Sequence, residues 1–254
     1  MVWLRMRRVA WCACMALLSV QAAHAYSTTI WDFRTAGSVA TNTGFSYGNV
    51  RTFTENVNAH TVETVAVTAW ANTGAAPPSD GSIETAYLGR YSTGIGVCNR
   101  GEGSINYCDG NNPLHQADNV SQSDLVMFRM DQGTYEFNNI VIDPYGEWDR
   151  DVTFWIGNAP LGADLTGLGI NDLVSVLGFT EYSDYNSASS APLTIDLMGN
   201  EGNTLIFGPL YPPNGKADRF KIKSLTATLV PIPAAVWLFG SALAGMVAFS
   251  RRRR

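Results

Sequence analysis

The chain has 254 residues, of which 46% are hydrophobic and only 15% are charged, so a packed core is expected and intrinsic disorder is excluded. All 22 acids and ten of the 17 basic residues lie between Tyr26 and Val230, which gives that region a formal charge of −12. A surface of this sign repels nucleic acid and anionic membranes, so nucleic acid is excluded as a partner of this region.

The first 25 residues have the organisation of a secretory signal peptide. Its positive region holds three arginines, Arg5, Arg7 and Arg8. An apolar core follows at residues 9–20 and is too short to span a bilayer comfortably. The small-x-small sequence Ala-His-Ala at 23–25 predicts cleavage between Ala25 and Tyr26. We therefore expect residues 1–25 to be removed on export.

Seven later segments alternate apolar and polar residues with a period of two, which is typical of β-strands. In residues 61–71, for example, Val65, Val67 and Ala69 share one face, and Trp70 points to the other. The other six segments are residues 125–130, 135–143, 151–158, 193–197, 204–210 and 218–229. Each is rich in β-branched or aromatic residues and is bounded by Gly, Pro, Asn or Asp. The pattern predicts an all-β protein.

Two irregular features can be placed within this pattern. In residues 218–229 the apolar phase shifts by one residue, which indicates a β-bulge near Lys223-Ser224 or a strand that is buried on both faces. Residues 171–177 predict one or two helical turns with Asn171 as the cap. No linker divides the region, so we expect a single jelly-roll-like β-sandwich ectodomain at 26–229.

Polar residues in the middle of the chain suggest two kinds of site. Cys98 and Cys108 lie in a Gly- and Asn-rich loop, and in an exported protein they can be oxidised to a disulfide. These two cysteines and the nearby His115 do not complete a closed zinc shell, so a metal site is disfavoured there. Calcium is the one cofactor that the sequence suggests, with three oxygen donors as candidate ligands: Asp118, Asn119 and Asp124. The alternative is turn chemistry, in which these side chains bond nearby backbone.

Signals of catalysis are weak. Glu147, Asp149 and Asp151 alternate as the acids of some β-sandwich glycoside hydrolases do, but Pro144 and Gly146 favour a turn over a strand. Motifs of serine hydrolases, zinc proteases and phosphate loops are absent from the sequence. We therefore expect no enzyme activity and no catalytic residue. Four aromatic residues have two interpretations, as exposed groups that stack on sugars or, more commonly for such residues, as core side chains: Trp31, Trp70, Trp148 and Tyr182.

The C-terminal segment predicts a transmembrane helix. Residues 231–250 carry no charge, and 20 helical residues cover roughly the thickness of a bilayer core. A cluster of four arginines follows at once, namely Arg251, Arg252, Arg253 and Arg254. By the positive-inside rule this cluster stays cytoplasmic, so the domain before the helix faces outward.

Residues 230–254 also resemble a PEP-CTERM sorting signal, in the VPxPAAxWLFGSxL variant of Gram-negative bacteria. The motif residues are Val230, Pro231, Pro233, Ala234, Ala235 and Trp237, followed by the apolar run and the arginines. Ile232 stands where the motif that gives the family its name has Glu. The resemblance implies that a membrane-embedded exosortase recognises and cuts the chain near the prolines. The catalytic residues of that reaction belong to the exosortase.

The middle of the chain resembles a group of exosortase-dependent surface proteins. The shared features are Gly94-Ile95-Gly96-Val97, the sequence His115-Gln116-Ala117-Asp118-Asn119 and the strand entry Asp124-Leu125-Val126-Met127-Phe128. This resemblance implies a surface β domain and supplies no catalytic residue.

Together these features predict a protein that is exported across the inner membrane and anchored by its C-terminal helix. An exosortase would then deliver it to the cell surface or the extracellular matrix. Two other functions stay open, namely a carbohydrate-binding module that holds exopolysaccharide and a glycoside hydrolase. The first requires a solvent-facing row of aromatics on one sheet, and the second requires Glu147 and Asp151 together in a cleft.

Overall fold

The computed structural model describes residues 27–58, 61–73, 81–102, 105, 108, 115–144 and 146–231. The predicted signal peptide and its cleavage point at Tyr26 lie outside this part of the chain, as does the predicted sorting signal beyond Pro231. Ser27–Leu229 forms one compact unit. No helix among the described residues is long and apolar enough to span a membrane.

The unit is an all-β sandwich of two antiparallel sheets, as the alternating pattern predicted. The first sheet runs in the order β13 (Leu193–Gly202), β10 (Tyr135–Asp143), β15 (Arg219–Leu229), β7 (Gly94–Cys98) and β6 (Tyr87–Tyr91), and β1 (Ser27–Asp32) and β8 (Ala117–Asp118) also pair with β15. The second sheet runs in the order β12 (Thr180–Asp184), β11 (Val152–Gly157), β14 (Thr204–Pro209), β9 (Asp124–Met130), β4 (Thr61–Asn72), β3 (Val50–Asn58) and β2 (Val39–Asn42), with β5 (Ile83–Thr85) on β4.

The main core lies between the sheets and is built by the predicted alternation. Val65 and Phe128 contribute from the second sheet, and Trp31 and Ile140 contribute from the first; all four are fully buried. Removal of such apolar side chains from water stabilises the fold by about 1.5–3 kcal/mol each. Val65, Phe128 and Ile140 lie in segments that the period-two pattern predicted, whereas Trp31 lies in β1, outside those segments.

The second sheet is buried on its outer face as well. Trp70, Met127 and Trp155 point away from the main core and pack under the segment of residues 158–179. That segment contains the helix α1 (Asp172–Ser175), whose Leu173 belongs to the same cluster. Asn171 precedes α1 as predicted, but its side chain makes no capping hydrogen bond. Helix α1 is also shorter than the predicted segment of residues 171–177.

The predicted irregularity in β15 is a β-bulge. Val141 of β10 lies opposite Ser224, and the next residue, Ile142, lies opposite Ile222, so Lys223 is the extra residue. The bulge changes the phase of the strand, so that Phe220 and Ile222 before it and Leu225 and Ala227 after it all enter the main core. The β-bulge predicted near Lys223-Ser224 is therefore confirmed.

Candidate functional site

One end of the sandwich carries a network of buried acids. Strand β8 pairs with the start of β15, with Asp118 opposite Arg219 and Ala117 opposite Phe220. This pairing places the segment of residues 115–119 beside Asp218, which is about 100 residues further along the chain. Because β15 ends at Leu229, the network lies at the end of the sandwich opposite Leu229. At about 3.3 Å per residue, the length of β15 separates the network from Leu229 by roughly 33 Å.

The first part of the network surrounds Asp124, which is completely buried. The Asn99 side chain donates from Nδ2 to Asp124 Oδ1 at 3.0 Å, and the Asp118 backbone N–H donates to Oδ2 at 3.2 Å. Burial raises the pKa of Asp124 well above its ordinary value, and the neighbouring charges of Asp118 and Glu102 raise it further.

Asp118 is held between this part and Arg219. Its Oδ1 accepts a hydrogen bond from the Val120 backbone N–H at 2.9 Å, and its Oδ2 lies 3.9 Å from Arg219 Nε. Burial raises the pKa of Asp118 to about 6, although the Val120 hydrogen bond and the Arg219 charge oppose the shift. Proton release from Asp118 and Asp124 is therefore shifted to higher pH than for an ordinary aspartate.

The second part of the network is centred on Asp218. Asn119 donates from Nδ2 to Asp218 Oδ2 at 2.6 Å, and its own Oδ1 accepts from the Asp218 backbone N–H at 2.9 Å. Asp218 Oδ1 accepts from the Asp151 backbone N–H at 3.1 Å. Burial raises the pKa of Asp218 to about 7, with a further contribution from the charge of Asp151.

Three carboxylates converge in this second part. Asp149, Asp151 and Asp218 are each at least 95% buried, and each offers an oxygen within 4.8 Å of the others. Their charges are partly balanced by Lys216, whose Nζ lies 2.9 Å from Asp149 Oδ2. The Asn214 amide donates a hydrogen bond to Asp151 Oδ2 at 2.8 Å. Carboxylate oxygens at this spacing are donors that a hard cation such as calcium takes.

The three residues considered for calcium from the sequence are divided between the two parts. Asp118 and Asp124 are joined by a hydrogen bond, whereas Asn119 bonds Asp218. The Val120 N–H bond to Asp118 is the turn chemistry of the alternative interpretation. Calcium binding at Asp118, Asn119 and Asp124 stays a prediction. Sequence reasoning missed Asp218, because no residue spacing connects it to positions about 100 residues earlier.

The acids considered for glycoside hydrolysis have unlike surroundings. Glu147 is exposed in a bend, while Asp149 and Asp151 are buried in the acidic network. Asp149 forms an isolated bridge with Asp218, and Asp151 immediately precedes β11. The three acids therefore lie in a bend and an isolated bridge before β11 and not along one strand, as Pro144 and Gly146 indicated.

The aromatics considered for sugar stacking do not form a solvent-facing row. Trp31 is 0% exposed and Trp70 is 4% exposed, so both are core residues. Trp148 and Tyr182 are partly exposed: Trp148 packs under the Arg219 guanidinium, with 4.4 Å between Cζ and the ring centroid, and Tyr182 stacks on Phe154. For Trp31 and Trp70 the structure therefore supports the core interpretation over sugar stacking, because each lies on a sheet face that is covered.

The two cysteines are joined as the sequence predicted. Cys98 and Cys108 form a disulfide with Cα atoms 5.9 Å apart, and both residues are buried. The disulfide lies next to the acidic network, because Asn99 immediately follows Cys98 and bonds Asp124.

Comparison of the chain with models of protein families, with curated proteins and with solved structures gives no significant match.

Proposed function

We propose that this chain is an exported cell-surface or matrix protein that an exosortase processes through the C-terminal segment of residues 230–254. The observation that carries the proposal is that tail, in which Val230, Pro231 and Pro233 precede an uncharged run and four arginines. Exosortase is then the processing partner, and the C-terminal helix gives a transient membrane anchor. The domain has a non-catalytic role at the surface.

The boundaries of the folded unit support this division of the chain. The unit extends over Ser27–Leu229, and the tail begins at the next residue, Val230. Ser27 and Leu229 lie opposite each other on β1 and β15, so both ends of the unit are at the same end of the first sheet. Pro231 and Pro233 lack backbone N–H donors, which disfavours continuation of a strand or helix there. A processing enzyme requires an extended, accessible peptide.

Two further features support an exported β domain. The strands from β9 onward move repeatedly between the two sheets, which supports a jelly-roll-like connection of the sandwich. The Cys98–Cys108 disulfide fits an oxidising compartment outside the cytoplasm. Neither feature requires a ligand, so the proposed role does not depend on a glycan or a metal.

The mass of the mature protein from its native host, with and without the exosortase gene, tests the proposal. We expect an N-terminus at Tyr26 in both strains and loss of the segment beyond Pro231 only where exosortase is present. Pro231→Ala with Pro233→Ala should prevent this processing, while Pro160→Ala, at an exposed proline of the domain, should leave it unchanged. A chain that ends at Arg254 in both strains would contradict the proposal and leave a permanently anchored domain.

A further inference from the structure

A second cluster of metal-ligating side chains lies outside the acidic network. His115 lies beside the Cys98–Cys108 disulfide, and a ring nitrogen of His115 and both sulfur atoms lie within 4.8 Å of one another. All three residues are at least 98% buried. The position of Cys108 is supported by Tyr91, whose hydroxyl donates to the Cys108 carbonyl oxygen at 3.2 Å.

We propose that reduction of the Cys98–Cys108 disulfide converts this cluster into a binding site for a zinc-class divalent cation, with two thiolates and the His115 imidazole as ligands. The site has two exclusive states, a disulfide when the chain is oxidised and a metal centre when it is reduced. The inference does not depend on the proposed sorting function, because it concerns residues of the folded unit alone.

The geometry of the cluster fits one ion. Zinc binds thiolate at about 2.3 Å and imidazole at about 2.0–2.1 Å, so tetrahedral ligand atoms lie on the order of 3.5–4 Å apart. The His115 nitrogen and the sulfurs are already within 4.8 Å of one another, and the cysteine Cα atoms are 5.9 Å apart. Opening of the S–S bond lets the sulfurs separate to the spacing that an ion requires. The fourth position is left for water, as in zinc sites with three protein ligands.

The charge of the metal state also fits a buried position. Two thiolates carry two negative charges and a divalent cation carries two positive charges, so the centre with a neutral imidazole has no net charge. A neutral centre avoids the large cost of an unpaired charge at residues that are at least 98% buried. Thiolate and imidazole ligands favour zinc over hard cations such as calcium or magnesium.

The chemistry balances with a dithiol as the reductant. The disulfide accepts two electrons and two protons from the dithiol, which becomes a disulfide itself, and the chain gains two thiols. Metal binding then displaces the two thiol protons to solvent as the two S–metal bonds form. Exchange with an oxidised dithiol reverses the reduction: that disulfide takes up the two electrons, and two protons from solvent, as the Cys98–Cys108 bond re-forms and the cation is released.

Cobalt titration of the full chain in detergent tests the proposal, in a Cys12→Ser/Cys14→Ser background that leaves Cys98 and Cys108 as the only cysteines. The protein is reduced with a dithiol, freed of the reductant without air and titrated with Co²⁺. We expect one Co²⁺ per chain with thiolate-to-cobalt absorption in the near ultraviolet, and none in the oxidised protein. Added Zn²⁺ should displace the signal.

Two variants separate a built site from adventitious thiol binding. His115→Gln should weaken Co²⁺ binding by about tenfold or more, because it removes one of three ligands. His60→Gln is the matched loss of one imidazole and should leave the affinity unchanged. The proposal is overturned if the reduced chain binds no Co²⁺. It is also overturned if His115→Gln binds as tightly as the parent, which is the result expected of unfolded thiols.

Discussion

Asn119 and Asp218 exchange two hydrogen bonds, through Asn119 Nδ2 to Asp218 Oδ2 at 2.6 Å and through the Asp218 N–H to Asn119 Oδ1 at 2.9 Å. The pair joins the segment that carries β8 to the start of β15. Both residues are buried, so neither partner is readily replaced by water. This contact therefore connects the two parts of the acidic network.

Replacement of Asn119 by Ala should lower the free energy of unfolding by about 1–3 kcal/mol, because it leaves a buried carboxylate oxygen and a buried N–H without their partner. Urea unfolding followed by tryptophan fluorescence measures the change. Asn56→Ala, at an exposed position of β3, is the matched control and should change stability by less than about 0.5 kcal/mol. Equal effects of the two variants would show that the pair contributes nothing.

Stability should fall as pH rises from about 4 to about 7. Burial raises the pKa of Asp118 to about 6 and of Asp218 to about 7, so the folded chain holds protons that the unfolded chain releases near pH 4. Stability from such groups is present at low pH and is lost as pH rises through the folded pKa. Because one pKa unit corresponds to about 1.4 kcal/mol, the loss over this range is on the order of 3 kcal/mol or more.

Asp218→Asn should flatten this decline, because the variant has no proton to release at position 218. The measurement is the free energy of unfolding at several pH values between 4 and 8. Glu147→Gln removes one acid at an exposed position and should leave the slope unchanged. A wild-type stability that is constant or rises over this range would contradict the prediction.

The bulge in β15 shows how much of the fold the sequence contained. The phase change between Ile222 and Leu225 is visible in the sequence, and both residues enter the main core. Strands with weaker patterns could not be found in this way: β3 buries Phe53 among Thr, Asn and Glu residues, and β12 is an edge strand with no fully buried residue. Pairing with neighbouring strands specifies such strands, and the alternation of apolar and polar residues along one segment does not reveal that pairing.

Deletion of Lys223 should prevent stable folding. Without the extra residue, either Phe220 and Ile222 or Leu225 and Ala227 must turn toward the outer face of the sheet, and the burial of two core side chains is lost. Lys223→Ala keeps the chain length and removes only a partly exposed side chain that lies 3.9 Å from Asp143, so it should change stability by less than about 1 kcal/mol. Circular dichroism and urea unfolding compare the two, and a stable deletion variant would show that the bulge is dispensable.

Gly96 is required by a close approach of two backbones. A Cβ atom at this position would lie 1.9 Å from the His115 carbonyl oxygen, so Gly96→Ala must displace β7 or the segment that leads to β8. We expect a loss of stability of about 2 kcal/mol or more, measured by thermal unfolding. Gly101→Ala is the matched control: its Cβ would meet the far end of the Gln122 side chain, which can move aside, so the loss should be clearly smaller. The opposite order of the two variants would contradict this interpretation.

The candidate site was less visible in the sequence than the fold. Asp118 and Asp124 were found because they lie together in one short segment before a predicted strand. Asp218 and Asp151 were not associated with them, because the contact depends on the pairing of β8 with β15 across about 100 residues. Burial of the aromatics was also hidden, since Trp70 is covered by the segment of residues 158–179, whose position has no local signal.

Tyr135 and Glu63 form a polar pair inside the main core at the end of the sandwich that holds Leu229. The Tyr135 hydroxyl donates to Glu63 Oε2, and both side chains are fully buried. Burial, followed by the hydrogen bond and charge of Glu63, raises the pKa of Tyr135 well above its ordinary value, so its hydroxyl is protonated and donates at neutral pH. The pair therefore depends on that one donor.

Tyr135→Phe should lower the free energy of unfolding by about 2–4 kcal/mol, because the Glu63 carboxyl is then left in an apolar core without its donor. The double variant Glu63→Leu/Tyr135→Phe should recover to within about 1 kcal/mol of wild type, since an apolar pair of similar volume needs no hydrogen bond. Tyr182→Phe removes a hydroxyl from a partly exposed tyrosine that donates to Asn200 Oδ1 at 2.8 Å, and it should cost less than about 1 kcal/mol. Urea unfolding compares the free energy of unfolding of all three variants with that of the wild type. If the double variant is as unstable as Tyr135→Phe alone, the loss does not come from a Glu63 carboxyl left without its donor, and the prediction is contradicted.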